Sequence, residues 1–250
     1  MTGLFKEETT LMSNEPRRIA VTGATGGIGR AIAMRLAKDG HQLIVSDRSA
    51  ESLTELTARL PGGGHSSYAC DLRSPAQRAD LADQASQADI LVNAAGWQRQ
   101  TPFLKGSPED DARTFEVNAL APIDLCRRIG ARMAARGDGH IVNVSSALAR
   151  AVYPYTTVYA ATKHALAALT QGLRVELSDH GVRVTEICPG LVGGTGILDA
   201  TDDPQVLASI GQRGYEPMSA THVADAVAYA VRLPANVELR LLEIRPRGQV

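Results

Sequence analysis

The stretch Tyr159-Ala-Ala-Thr-Lys163 sets a phenol and an ammonium four residues apart, which on a helix is one face and one turn. A free tyrosine titrates near pH ~10 and is a poor acid or base at neutrality. A cation beside it favours the phenolate and lowers that value, which suits the phenol to exchange a proton with an alcohol or carbonyl oxygen. The plainer alternative is a Tyr/Lys contact on a helix surface. Lysine is scarce in this chain, occurring only at Lys6, Lys38, Lys105 and Lys163, so its place in the pair carries information. Upstream, His140-Ile-Val-Asn-Val144 reads as a strand and ends in Ser145-Ser146. A hydroxyl there could hydrogen-bond a substrate oxygen beside the phenol; otherwise the two serines only end a strand and open a turn.

A second constellation binds rather than reacts. Ile19-Ala-Val-Thr22 reads as a strand that runs straight into Gly23-Ala-Thr-Gly-Gly-Ile-Gly29 and then into a helix. Glycines at such a turn let the backbone approach a pyrophosphate, whose charge the free N–H groups of the helix start stabilise. Gly23, Gly27 and Gly29 give GxxxGxG rather than GxGxxG, and a tight ligand-free turn is the alternative. Asp47 stands 24 positions after Gly23 at the end of the next strand, near the offset at which a carboxylate accepts from adenosine ribose hydroxyls. It could instead cap the helix beginning near Ser49. An acid there opposes a 2′-phosphate and favours NAD over NADP, whereas Arg48 could grip that phosphate. Asn93, ending the strand Ile90–Asn93, and Asn118, inside a helix, also call for a reason, because asparagine is a mediocre helix former.

These residues need a scaffold that gathers strand ends. From Arg17 onward short β-branched runs alternate with Ala/Leu/Arg-rich helical stretches, the pattern of βαβ units and a parallel sheet. Strands are expected at 19–22, 42–46, 67–70, 90–93, 140–144, 183–187 and 238–244. Helices are expected at 27–38, 50–59, 75–85, 108–134, 157–179 and 221–232. The fold class that follows is α/β, a Rossmann-type doubly wound parallel sheet of about seven strands in one domain over residues 17–250. Residues 1–16 are polar, do not read as a signal peptide, and are expected to form a disordered arm; Met12 is an alternative start.

Composition excludes several function classes. The chain of 250 residues has 26 basic against 27 acidic side chains, which leaves no electrostatic footprint for nucleic acid or an anionic membrane. Three dispersed cysteines, Cys70, Cys126 and Cys188, argue for a reducing compartment, here the cytoplasm, rather than a disulfide framework. No metal-ligating spacing occurs, so no metal is expected, and no apolar run reaches the length of a membrane span.

Taken together, the motifs resemble the short-chain dehydrogenase/reductase family over Arg17 to Val250. The resemblance implies an NAD(P)-dependent oxidoreductase acting on a small alcohol or its carbonyl. It assigns catalysis to Asn118, Ser146, Tyr159 and Lys163. Ser146 is chosen over Ser145 because it lies thirteen residues before Tyr159, the separation usual in the family. Tyr159 would move the proton, Ser146 orient the reacting oxygen, Lys163 hold the nicotinamide ribose and tune the phenol, and Asn118 anchor a water leading from Lys163. The cofactor would meet Gly23, Thr25, Gly27, Ile28 and Gly29 at its pyrophosphate, and Asp47, Arg48, Asp71 and Leu72 around the adenosine. Asn93, Ala94 and Gly96 match an NNAG-type motif in which alanine replaces the second asparagine. Pro189, Gly190, Val192 and Thr195 match the turn beside the nicotinamide. The C-terminal motifs resemble the branch of 3-hydroxy acid (serine-type) dehydrogenases and clavulanate-pathway aldehyde reductases, which commonly favour NADP; Asp47 departs from them. The family pairs its Asn118- and Tyr159-bearing helices, which implies a homodimer or homotetramer.

Two other functions use parts of this set. A dinucleotide-binding sensor would not need the proton-transfer group. A nucleotide-sugar epimerase or dehydratase usually needs a larger C-terminal part than the 61 residues that follow Pro189. For the substrate, candidate walls are Trp97–Arg99, residues 147–156 and a flexible loop over about 191–215. Arg99 and Arg150 could meet an anion or be solvated surface arginines. Trp97 could be substrate wall or packing.

Overall fold

The computed structural model describes residues 15–249, so the expected N-terminal arm lies almost wholly outside the described residues. Seven strands form one sheet: β1 (Arg18–Thr22), β2 (Gln42–Asp47), β3 (Ser66–Ala69), β4 (Ile90–Asn93), β5 (Gly139–Val144), β6 (Val182–Pro189) and β7 (Leu241–Ile244). Their order is β3-β2-β1-β4-β5-β6-β7 and every pairing is parallel. Successive strand residues face opposite sides, and both sides are apolar here, as a sheet covered on both faces requires. Ile19, Val21, Val92, Val142 and Val144 meet helices α1 (Gly27–Lys38), α2 (Ala50–Arg59) and α8 (Ala220–Arg232). Ala20, Leu91, Ile141 and Val184 meet α3 (Pro75–Gln84), α5 (Ala121–Arg136) and α6 (Thr157–Leu177) on the other side. The chain order reverses between β1 and β4, and a crevice opens outside their carboxyl ends, where open α/β sheets bind ligands.

Three departures from the sequence-based elements bear on the site. The helix expected over 108–134 is interrupted: α4 (Pro108–Phe115) passes through a π-helical turn, Glu116–Leu120, into α5. Asn118 sits in that turn. Its wider spacing turns the amide towards the loop after β4, with the Trp97 N–H donating to Asn118 Oδ1 at 2.8 Å and Nδ2 donating to the Trp97 carbonyl at 2.8 Å. The loop at about 191–215 carries a helix, α7 (Pro204–Gly211), started by Asp203, whose carboxylate accepts from the N–H groups of Gln205 and Val206. The last strand begins at Leu241 rather than 238, because the Glu238 side chain and the Leu239 carbonyl serve as acceptors for Val184 and Thr185.

Candidate active site

A cleft of about 770 Å³ runs across the carboxyl ends of the strands, from Asp71 to Gln249. All the catalytic and cofactor-binding residues nominated from sequence line it except Asn93 and Asn118; of the substrate-side candidates, Arg99 and Arg150 do not.

The glycine loop is shaped by contacts no side chain would permit. Gly23 has φ +66°, and a Cβ there would lie 2.6 Å from the Ala95 Cα. A Cβ on Gly29 would lie 2.1 Å from the Gly23 carbonyl oxygen. Helix α1 therefore starts directly against the loop, and it starts with no side-chain cap and no acid in its first turn. Helices α2, α3, α4, α7 and α8, by contrast, are each capped by a serine or aspartate. An uncapped helix start facing a cleft suits a phosphate. With Asp47 and Asp71 closing β2 and β3, the residues present fit a dinucleotide.

Asp47 does not cap α2; Ser49 does. Instead the Asp47 carboxylate is fixed within the cleft. Its Oδ2 accepts from the Thr25 N–H at 3.1 Å and hydroxyl at 2.7 Å, and its Oδ1 accepts from the Arg48 N–H at 2.7 Å. Asp71 is ion-paired with Arg73, and that guanidinium holds its carboxyl low, at about 2. Arg73 and Arg113 also line this end of the cleft; both were missed in the sequence, where arginine is too common to stand out. The Arg113 guanidinium lies 4.4 Å from the centre of the Trp97 ring, so Trp97 both packs and forms a wall.

Ser146, Tyr159 and Lys163 meet at the floor. Strand β5 delivers Ser146, and the first two turns of α6 deliver the other two. Ser146 Oγ accepts the Leu148 N–H at 3.1 Å, which leaves its own proton free to be donated into the cleft. The Lys163 ammonium, 3% exposed, donates to the Val144 carbonyl at 3.2 Å and lies 5.5 Å from the Tyr159 ring centre. Burial raises the Tyr159 phenol above its ordinary value, opposed by the Ser146 hydrogen bond. That corrects the expectation of a lowered phenol: at the floor of the cleft, loss of solvent is the largest influence on it and acts upwards. Burial lowers Lys163 to about 8, so its ammonium is still charged at neutrality.

Two asparagines lie beneath the floor. Asn93 is 3% exposed and turned into the protein, where Nδ2 donates to Asn143 Oδ1 at 2.9 Å and to the Cys126 sulfur at 3.3 Å. The register pairs Asn93 with Asn143 across β4 and β5, and this puts both amides on the buried face. Asn118 is fully buried, bonded to the Trp97 backbone and to Thr162 Oγ1 at 3.2 Å. Its place is therefore one of bracing the loop after β4 against α6.

The arginines considered for anion binding are already engaged. Arg99 pairs with Asp110 and Asp202. Arg150 grips Glu186 with two hydrogen bonds, 3.0 and 2.7 Å, and its Nη1 also donates to Cys188 Sγ at 3.2 Å. The Cys188 thiol in turn donates to the Ser146 carbonyl at 2.8 Å. At the far end, Gln249 Oε1 accepts the Leu191 N–H at 2.9 Å, tying the C-terminal segment to the turn after β6.

The family model of the short chain dehydrogenases matches residues 17–205. The chain belongs to the short-chain dehydrogenase family. Human dehydrogenase/reductase SDR family member 11 is 35% identical, the match covering 94% of this chain and 95% of that protein. The NADP-dependent 3-hydroxy acid dehydrogenase YdfG of Shigella flexneri is 34% identical, covering 92% and 95%. A solved structure described as the closed form of serine dehydrogenase complexed with NADP+ superposes with a TM-score of 0.85 at 31% identity, covering 93% and 96%. The short-chain dehydrogenase is thus an oxidoreductase of the Rossmann type, built for a nicotinamide dinucleotide. No helix among its described residues is long and apolar enough to cross a membrane.

Proposed function

We propose that the protein interconverts a small primary or secondary alcohol and its carbonyl, with Tyr159 as general acid and base. A hydroxy acid, a polyol or a sugar-derived alcohol fits this reading. The observation that carries it is the meeting of Ser146 and Tyr159 in one cleft beside the buried Lys163 ammonium, which lies 5.5 Å from the Tyr159 ring centre. A bound nicotinamide dinucleotide supplies the hydride exchange with carbon; the protein supplies placement and proton transfer. In reduction, Ser146 donates a hydrogen bond to the carbonyl oxygen and stabilises its developing charge, and Tyr159 gives it a proton. In oxidation, Tyr159 takes the proton of the alcohol, and the Ser146 hydrogen bond and the Lys163 charge both favour the phenolate that must do so. Lys163 holds the nicotinamide ribose, the uncapped start of α1 holds the pyrophosphate, and Asn118 keeps Trp97 and α6 in register.

The preferred cofactor is NAD. Asp47 supports this, since a carboxylate fixed by Thr25 and Arg48 opposes a 2′-phosphate at the adenosine ribose. NADP is the second reading, because the Arg48 guanidinium makes no ion pair among the described residues and NADP is the cofactor named for two of the three relatives above. Parallel titration of wild type and Asp47→Ala with both dinucleotides decides the point. A gain in NADP affinity with a loss in NAD affinity supports NAD preference; unchanged affinities overturn it. Reduced-nicotinamide absorbance over a panel of hydroxy acids, polyols, sugars and aldehydes tests the reaction itself.

Dimers or tetramers form on this reading through α4–α5 and α6, which expose Phe115, Leu120 and Val175 at 40%, 51% and 79%. Sedimentation of wild type beside Val175→Asp tests it. Three free, buried cysteines suit a reducing compartment such as the cytoplasm.

A further inference from the structure

The cleft is unevenly charged. Arg48, Arg73, Arg113, Lys163 and Arg213 line it, against the carboxylates of Asp47 and Asp71 alone. Both acids close β2 and β3, at the adenosine end. Arg73 is paired with Asp71, and Arg48 and Arg113 lie close enough to that pair to interact electrostatically with it. Lys163 is buried under Tyr159. On the substrate side this leaves Arg213, which follows α7 and, among the described residues, has no ion-pair partner; its guanidinium makes one long hydrogen bond, Nη2 to Gln100 Oε1 at 3.5 Å.

A second observation comes from the wall opposite. Along the extended loop after β4, alternate side chains face opposite ways. Gln98 and Gln100, 5% and 4% exposed, turn into the cleft. Arg99, between them, turns out to Asp110 and Asp202. The Gln98 Oε1 atom is buried with no hydrogen-bond partner. A buried acceptor without a donor is costly, and folded proteins keep few of them. In a cleft lined by no acid on this side, an uncommitted guanidinium and an unpartnered amide form a polar receptor for a substrate that brings an anion and a donor.

We propose that the substrate is a hydroxy carboxylate whose carboxylate is received by Arg213, steadied by Gln100, while Gln98 accepts from a second polar hydrogen on the substrate. This deepens the dehydrogenase reading of the same cleft and leaves the chemistry at the carbinol unchanged. Arg99 and Arg150 are excluded as the receptor because carboxylates of the protein already occupy their forks.

The test uses a pair matched in everything but charge, 3-hydroxybutanoate and butane-1,3-diol, with the cofactor-saturated enzyme. Wild type is expected to prefer the acid. Arg213→Gln is expected to lower kcat/KM for the acid by about 10- to 150-fold, the range for a hydrogen bond to a charged group. The loss should fall on KM, with the diol unaffected and Arg213→Lys retaining part of the preference. Equal use of acid and diol by wild type, or an equal loss on both in Arg213→Gln, overturns the proposal. Calorimetric binding of 3-hydroxybutanoate to the cofactor-loaded protein needs no turnover. Binding that weakens in Arg213→Gln supports the receptor even if neither compound is oxidised, a result that would count against the dehydrogenase reading alone. Binding that is undetectable in wild type or indifferent to Arg213→Gln overturns the receptor.

Discussion

Replacing Arg150 with methionine is expected to destabilise the protein and, separately, to slow it. Glu186 lies in the middle of β6 with its side chain 2% exposed, and its two oxygens are held by one guanidinium. Removing one partner of a buried pair costs about 3–5 kcal/mol because the other charge is left uncompensated. The Arg150 side chain is 30% exposed, so water can reach part of the vacated space, and a loss of about 2–3 kcal/mol is the better expectation. For a chain of this size each kcal/mol moves the melting temperature by about 2–4 °C, giving a drop of roughly 4–12 °C. Methionine also removes the hydrogen bond to Cys188, whose thiol holds the Ser146 carbonyl, so kcat should fall in the protein that remains folded. The double variant Arg150→Met/Glu186→Gln should recover at least about 1 kcal/mol of the single loss, since contacting residues do not add. Urea and thermal melts of the single and double variants make the measurement. A loss below about 1 kcal/mol, within the range of a surface pair, or a double variant no better than the single, would show that Glu186 does not depend on Arg150 for its charge.

Other consequences follow from buried titrating groups. Burial holds Lys163 at about 8, so it is charged below that pH and loses its charge above it. In the reduction direction kcat/KM should be level below pH 8 and fall above it, and Lys163→Arg, which keeps its charge, should remove that limb; a limb that persists belongs to another group. His140 is buried on β5, its Nε2 paired with Thr185 Oγ1 at 2.9 Å, and burial lowers it to about 3. From about pH 6.5 down to 3 the unfolded chain binds a proton that the folded one does not, so stability falls as pH falls, by up to about 1.4 kcal/mol per pH unit. Urea midpoints across that range should fall more gently in His140→Gln, and an identical slope would contradict the assignment.

Local pattern made much of this molecule legible. The strands β1, β4 and β5 carry apolar residues on both faces, so they read as a buried parallel sheet wherever they pair. The Tyr159/Lys163 spacing and the glycine loop are local in the chain, so their geometry follows from one helix and one turn. The partners of long side chains are not local. Arg99 finds Asp202, 103 positions away, and Arg150 finds Glu186, 36 positions away, and nothing in the flanking residues announces either pair. Asn93 illustrates a subtler limit: its place at a strand end is legible, but which face its amide takes depends on the register with Asn143. The π-helical turn at Asn118 is held by the Trp97 backbone, a tertiary contact, and only the odd choice of asparagine within a helix hinted at it. α7 was missed because eight residues behind an aspartate cap are too few to establish a period.

On the proposed mechanism the Tyr159 hydroxyl carries the proton. Tyr159→Phe removes one oxygen atom and keeps the ring beside Lys163. With a substrate that wild type turns over, single-turnover formation of reduced nicotinamide in this variant should fall by about 100- to 10,000-fold, the range for a positioned acid or base. Dinucleotide affinity, measured by fluorescence titration on the same preparation, should remain within a few-fold of wild type. Hydride transfer at an undiminished rate in Tyr159→Phe would show that another group carries the proton.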